Sequence, residues 1–397
     1  MTAAVFFLVP AKAAEIETEW IGPLGTPGSW FDEANWSNGV PNNTAEDFYS
    51  VFINAQDFDE PPSVVLQSGD VTISALNNHG ELMVEEGNLT VDGDVWQEGW
   101  FELTGTFSVG GNFTNLQSMF VEAVGGDASP PSQVTIAKDF QQFAWLGLSD
   151  ASLSVEGNFV NSGWTELGSS WDDSVGPAHG TVEGNLYNSG ELELNRGSSF
   201  SVGGDLDNDG GYLVAFEATL TVTGGLTQQQ EGVLTRGRYV AESSGNETVI
   251  EWAGADIEVI GEAAMVRISG ESASIRDVDT GESAVRNLRE VYGRFSLWDH
   301  DMDFVEGLKI GEFGSVDIGA GDFVVNGNLD NEGGLFLGIG TLSVAGSLVQ
   351  QQDGVLTGGE LPPAILNLSR WFNRLLILPF SCRILQSLWN PAARQHR

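Results

Sequence analysis

Cysteine is almost missing from this chain: Cys382 stands alone in 397 residues. No intrachain disulfide is possible, so packing must hold the fold together. Basic residues are scarce too, 16 Lys+Arg against 56 Asp+Glu, for a formal charge of −40. Such a surface repels phosphate backbones and anionic lipid, which excludes nucleic acid as a partner. No apolar run approaches the roughly 18 residues of a membrane-spanning helix. Four His and one Cys offer no zinc spacing, and neither a nucleophile elbow nor a phosphate loop is present. No catalytic residue can be named, and a non-enzyme is the better supported class.

Glycine and aromatics are abundant instead, with 51 Gly, 22 Phe and 12 Trp. That composition describes a folded, turn-rich chain, and helix signals are missing from its body. The opening MTAAVFFLVPAKAAEIE has a short apolar run and the small-x-small triplet Ala11-Lys12-Ala13. It reads as a signal peptide over 1–14, although it lacks a basic leading segment, and it points to export.

Self-comparison organises the rest. VGGDLDNDGGYLVAFEATLTVTGGLTQQQEGVLTRG from Val202 matches VNGNLDNEGGLFLGIGTLSVAGSLVQQQDGVLTGG from Val325, and each half is itself a repeat. Nine units begin at Val91, Val109, Ile136, Val155, Val182, Val202, Val222, Val325 and Val344, mostly 18 to 20 residues apart with two spacings of 27. Counting from these residues, position +2 is glycine in all units but one, which has Lys138. Position +4 is always apolar, from Val95 and Phe113 to Leu348, and +12 is apolar throughout, Val214, Leu234 and Leu356 included. Position +6 is always an amide: Gln97, Asn115, Gln142, Asn161, Asn188, Asn208, Gln228, Asn331 and Gln350.

A period near 20 with glycine punctuation describes coils too thin to own a core, which must stack on one another. The fold expected is all-β, a parallel β-helix of about 14 coils, right-handed by the usual crossover preference. Parallel strands about 4.8 Å apart place equal side chains above each other, so an inward amide column can hydrogen-bond along the axis. The solenoid is placed at 63–360, behind a Trp-rich cap at 15–62.

Asp205, Asp207 and Asp209 imitate the start of a calcium loop. Other coils make the same turn without carboxylates, and an EF-hand would need an acid where Phe216 stands, so the segment reads as structural.

The segment 22–55 carries Gly28-x-Trp30, then Asn35-Trp36-x-x-Gly39-x-Pro41 and an apolar strand. It resembles the opening of bacterial secreted and cell-surface β-helix proteins, the autotransporter-like adhesins and the sorting- or dockerin-tailed surface proteins. The resemblance implies a bacterial extracellular location and brings no catalytic residue with it. Trp30 and Trp36 are expected to close the first coil. The tail at 361–397 has another composition, with five Arg and no acid from Ala364 on. It reads either as a basic interfacial helix or as sequence foreign to the rod, and a fragment of a longer surface protein is a further reading.

If +10 and +12 point inward, +9 and +11 face solvent. Trp100, Trp145 and Trp164 stand at +9, and Glu102, Phe120 and Glu166 at +11. Exposed indoles beside carboxylates suit sugar rings. The extra residues of the 27-residue spacings, GGDASPPSQ and SSWDDSVGPAHG, leave the coil just past +12, where insertions build a working face or simply cover the tryptophans. A second candidate is SLWDHDMDF, 296–304. With Trp298, Met302 and Phe304 inward, Asp299, Asp301 and Asp303 would line one outer face as a shallow calcium site. Asp277, Asp279 and Arg267, Arg276, Arg286, Arg289 and Arg294 lie nearby. The leading expectation is an exported adhesive scaffold that binds a polysaccharide or cell-surface ligand. The alternative is a β-helix polysaccharide lyase or hydrolase acting near 277–303.

Overall fold

The computed structural model describes residues 14–54, 60–122, 131–169 and 176–348, with the backbone alone of Gln351–Gln352 and Val355–Leu356. The leader up to residue 13, the tail at 361–397, Gln350 and the side chain of Leu356 lie outside the described residues. The chain is a parallel β-solenoid with three strands per regular coil. A first sheet collects the strands at +4 to +6, such as Phe159–Asn161. A second collects those at +9 to +12, such as Trp164–Leu167, and a third ends on the repeat valines, such as Ser199–Val202. In the second sheet fourteen strands follow one another in parallel register from Pro27–Ser29 to Gly334–Leu337, a stack roughly 60 Å long. No helix among the described residues is long and apolar enough to cross a membrane.

Each repeat column has a physical task. The +4 residues form the core, where Phe113, Phe140 and Phe159 stack with centroids 4.9 Å apart and planes within 8°, the spacing the strands impose. Every described +6 amide is buried. Asn78, one coil before the repeat begins, donates to Gln97 at 2.8 Å, Asn115 to Gln142 at 2.7 Å, Asn161 to Asn188 at 2.8 Å, and Asn188 to Asn208 at 2.7 Å. The column is broken in places: Gln97 turns to the carbonyl of Gly99, and Asn115 Oδ1 and Gln142 Nε2 are buried without partners. At the corner beyond the amide, Gly163 is obligatory, because a Cβ there would lie 1.9 Å from the carbonyl oxygen of Ala144 in the coil before.

Position +3 holds a second ladder. Asp94 Oδ1 accepts the backbone N–H of Asn112, Asp139 that of Asn158, Asn158 that of Asn185, Asn185 that of Asp205, and Asp205 that of Gly225, all at 2.7 to 3.0 Å. Asp or Asn recurs here because its short side chain reaches one winding up and no further.

In the N-terminal segment the tryptophans pack against one another. Trp20, Trp30 and Trp36 are buried with centroids 5.0 and 5.1 Å apart, edge to face. Trp36 Nε1 donates to the carbonyl of Trp30 at 2.7 Å, and Trp30 Nε1 to that of Pro41 at 3.1 Å. The strands Ala14–Glu19 and Pro27–Ser29 belong to this segment and stack directly on the first and second sheets.

Two repeat assignments need correction. Val214 faces outward while Leu213 and Ala215 are buried. The turn after Asp207 has one extra residue, so Leu192 pairs with Leu213 although Leu186 pairs with Leu206. Leu234 is buried, but it lies beyond a short antiparallel hairpin, Gln229–Gln230 with Val233–Leu234, and is not a regular rung. From there the strands Val233–Glu242 and Val259–Ser269 continue through the corner that separates the first and second sheets elsewhere, with a register shift between Leu234 and Arg236 and Gly237 at φ +92°.

Candidate functional site

The outer face of the second sheet carries the aromatic strip. Trp145 and Trp164 are register partners with centroids 6.3 Å apart. Phe120 lies opposite Gly147, and the Trp145 indole lies over that glycine, where a Cβ would come within 2.6 Å of the ring. Phe120 and Trp145 therefore stack, 5.7 Å apart and within 15° of parallel. Trp145 is half-buried and its Nε1 has no hydrogen-bond partner among the described residues, whereas Trp164 is 39% exposed. Trp100 is 41% exposed and shares the column, but the coil of Met119 separates it from Trp145. The structure thus joins Phe120, Trp145 and Trp164 and leaves Trp100 as an outlier.

Glu102 is half-buried beside Phe120, its register partner, and Glu166 is 9% exposed. The next coil adds two acids that sequence reasoning missed, Glu191 opposite Trp164 and Glu193 opposite Glu166. Burial pushes the Glu191 carboxyl above the usual range, and the charge of Glu193 adds to this. Tyr212 follows Glu191 in the column, with the Arg238 guanidinium 5.9 Å from its ring centre. Burial, then Glu242 and Glu191, raise the tyrosine hydroxyl. The one-residue offset after Asp207 hid Tyr212 from the repeat alignment, and the hairpin at Gln229–Leu234 displaced Arg238 from it. Residues 125–130 of the first insertion and 170–175, half of the second, lie outside the described residues; the first is anchored between Met119–Glu122 and Ser132–Ile136, at the edge of the strip.

The acidic segment does not assemble as expected. Trp298 is exposed and lies flat over Gly319, while Met302 and Phe304 are buried. The chain turns at Asp299, whose φ is +50°, so the alternation in Arg294–Trp298 does not continue into Met302–Phe304. Asp301 accepts the N–H of Asp322 at 2.7 Å. Asp277 occupies the buried place of a repeat valine and accepts from Ala255 N–H at 3.0 Å and from the Thr280 N–H and hydroxyl at 2.8 and 2.9 Å. Burial works to raise its pKa, but these bonds outweigh burial and hold it below the usual range. Among the described residues no three His, Cys, Asp or Glu side chains converge as metal ligands. Asp205, Asp207 and Asp209 are likewise spent on structure: Asp205 in its ladder, Asp207 on the N–H of Asp209, and Asp209 on Arg236 at 2.7 Å.

Compared with protein-family models, curated proteins and solved structures, the chain matches none of them.

Proposed function

We propose that this protein is an exported bacterial scaffold that adheres to glycans or glycan-coated surfaces through the outer face of its second sheet. The observation that carries this reading is the joined aromatic platform of Phe120, Trp145 and Trp164 with Glu166, Glu191 and Glu193 along one edge. Flat indole faces take the apolar face of a pyranose, and carboxylates accept hydrogen bonds from its hydroxyls. The acidity of the chain directs it toward uncharged or cationic ligands. The resemblance of the cap segment to secreted surface proteins supports export, as does the small-x-small leader.

The lyase or hydrolase alternative has less behind it. It calls for an acid pair beside an uncommitted base, and the arginines around 267–294 each stand beside a carboxylate. A glycan array probed with the full-length chain tests the adhesive reading. Trp164→Ala is expected to weaken at least one retained glycan tenfold or more and Trp100→Ala much less. Retention of no glycan, or unchanged binding by Trp164→Ala, overturns it.

A further inference from the structure

A second groove lies on a different face. Along the outside of the first sheet, Phe52, Asn77, Trp96, Thr114 and Gln141 are register partners in successive coils. A parallel column beside them contains Glu17, Asp94 and Asp139, and between them the two columns line an open groove of about 680 Å³. It crosses six coils, roughly 24 Å along the axis. At its centre Trp96 is 43% exposed, and its ring is fixed in place. The indole N–H donates to Glu98 at 2.8 Å, and the other carboxylate oxygen of Glu98 is 2.5 Å from His79 Nδ1. A large apolar ring held exposed by a polar brace is a preorganised stacking platform, because little side-chain freedom remains to be lost on binding.

We infer that this groove binds an extended, uncharged polysaccharide, with one sugar stacked on Trp96 and its neighbours bonded to the amide and hydroxyl side chains above and below. Windings about 4.8 Å apart present one polar rung per sugar unit of an extended chain. Thr114 and Gln141 supply both donors and acceptors, as sugar hydroxyls require. Among the described residues no Lys or Arg lines the groove, and its carboxylates repel polyanions. An extended peptide is less suited, because the backbone groups of this face are already spent on the parallel ladder and none is left for strand pairing.

The inference stands apart from the second-sheet platform, and the test separates them. Full-length protein is titrated by calorimetry with uncharged β-1,4-linked gluco-, manno- and xylo-hexasaccharides and with a hexauronate. The expected result is binding of at least one uncharged probe and none of the hexauronate. That binding falls tenfold or more in Trp96→Ala, is partly retained in Trp96→Phe, and is untouched in Trp164→Ala, with all variants melting as wild type does. The inference is overturned if no uncharged probe binds with a Kd below about 1 mM, if the hexauronate binds better, or if Trp96→Ala binds as wild type. Loss in Trp164→Ala alone assigns the ligand to the other face and equally overturns it. A change in melting by Trp96→Ala is checked against Trp96→Phe, whose weakened binding with native melting then decides.

Discussion

The coils at 75–228 and those at 229–300 enclose the same kind of apolar interior by different means. The earlier coils repeat a corner: a buried amide, a tight turn, and the next strand. Their amide bonds run inside, along the axis, and they contain only two basic residues, Lys138 and Arg196. In the later coils long strands replace the corner and the amide column lapses between Gln228 and Asn331. Seven of the 16 basic residues fall there, and the ion pairs lie outside, as in Arg276 with Glu251 at 2.8 Å and Arg289 with Glu258 at 2.7 Å. Axial polar contacts thus come from the buried amides and the +3 ladder where the sequence repeats, and from outer ion pairs where it does not.

The largest effect should come from the regular interior. Phe140 is fully buried between Phe113 and Phe159, so Phe140→Ala should cost about 3–5 kcal/mol in urea denaturation. A loss below about 1 kcal/mol would mean that this stack is not continuous and that the two regions do not differ in packing.

Next come the amides. Asn188→Leu breaks two rungs and orphans a buried acceptor on Asn208, a loss of about 2–3 kcal/mol. Gln142→Leu breaks one rung and orphans the Nδ2 donor of Asn115, but its own Nε2 already lacks a partner among the described residues, so the loss should be smaller, about 1–2 kcal/mol. Equal losses would show that the column acts by bulk and not by hydrogen bonding.

How much of this was legible before any coordinates? The valine, glycine, +4 and +6 columns were, because each recurs almost without exception, and in-register stacking turns recurrence in sequence into contact in space. The +3 ladder was hidden by its mixture of Asp, Asn, Gly and Ser, which do the job through a single shared oxygen position or not at all. The strip at Trp100, Trp145 and Trp164 was legible from alternation alone. Tyr212 and Val214 were not, because one extra turn residue reverses inside and outside, and Arg238 was not, because the hairpin at Gln229–Leu234 shifts it off the repeat count. The later coils were opaque because long strands there run through the corner without the amide, and the glycines that still mark it, Gly237 and Gly293, fall outside the regular spacing. Trp298 was misread because alternation was carried across the turn at Asp299.

Titration sharpens the contrast with two acids of opposite sign. The folded pKa of Asp277 is lowered, so its contribution is present above about pH 4 and is lost as pH falls through the lowered value. Asp277→Asn should therefore weaken the protein at neutral pH and flatten the acid limb of its stability profile. Glu191 in the regular coils has a raised folded pKa. Its contribution is fullest below about pH 4.3 and is lost as pH rises through the raised value, leaving a cost at neutral pH. Glu191→Gln should raise the melting temperature at pH 7 by a few degrees at most and change nothing near pH 4. Melting curves across pH 3–8 distinguish these cases, and a parallel response of the two variants would refute the opposition.

The smallest effect should come from the outer ion pairs, which decides whether they substitute for the amides or only accompany them. Arg294 is 58% exposed and 3.9 Å from Asp317, a geometry in which side-chain entropy cancels most of the attraction, so Arg294→Ala should change stability by less than about 0.5 kcal/mol. Arg276 differs, since Glu251 is only 13% exposed and also accepts from Thr221 at 2.9 Å. Removing Arg276 strands a largely buried carboxylate, at about 1 kcal/mol, and 1 M salt should not reproduce that loss, because little solvent reaches the pair. If salt alone melted the later coils, their register would rest on exposed charge. If neither variant responded, it would rest on the apolar interior around Tyr239 and Trp252, and the outer arginines would serve solubility and not register.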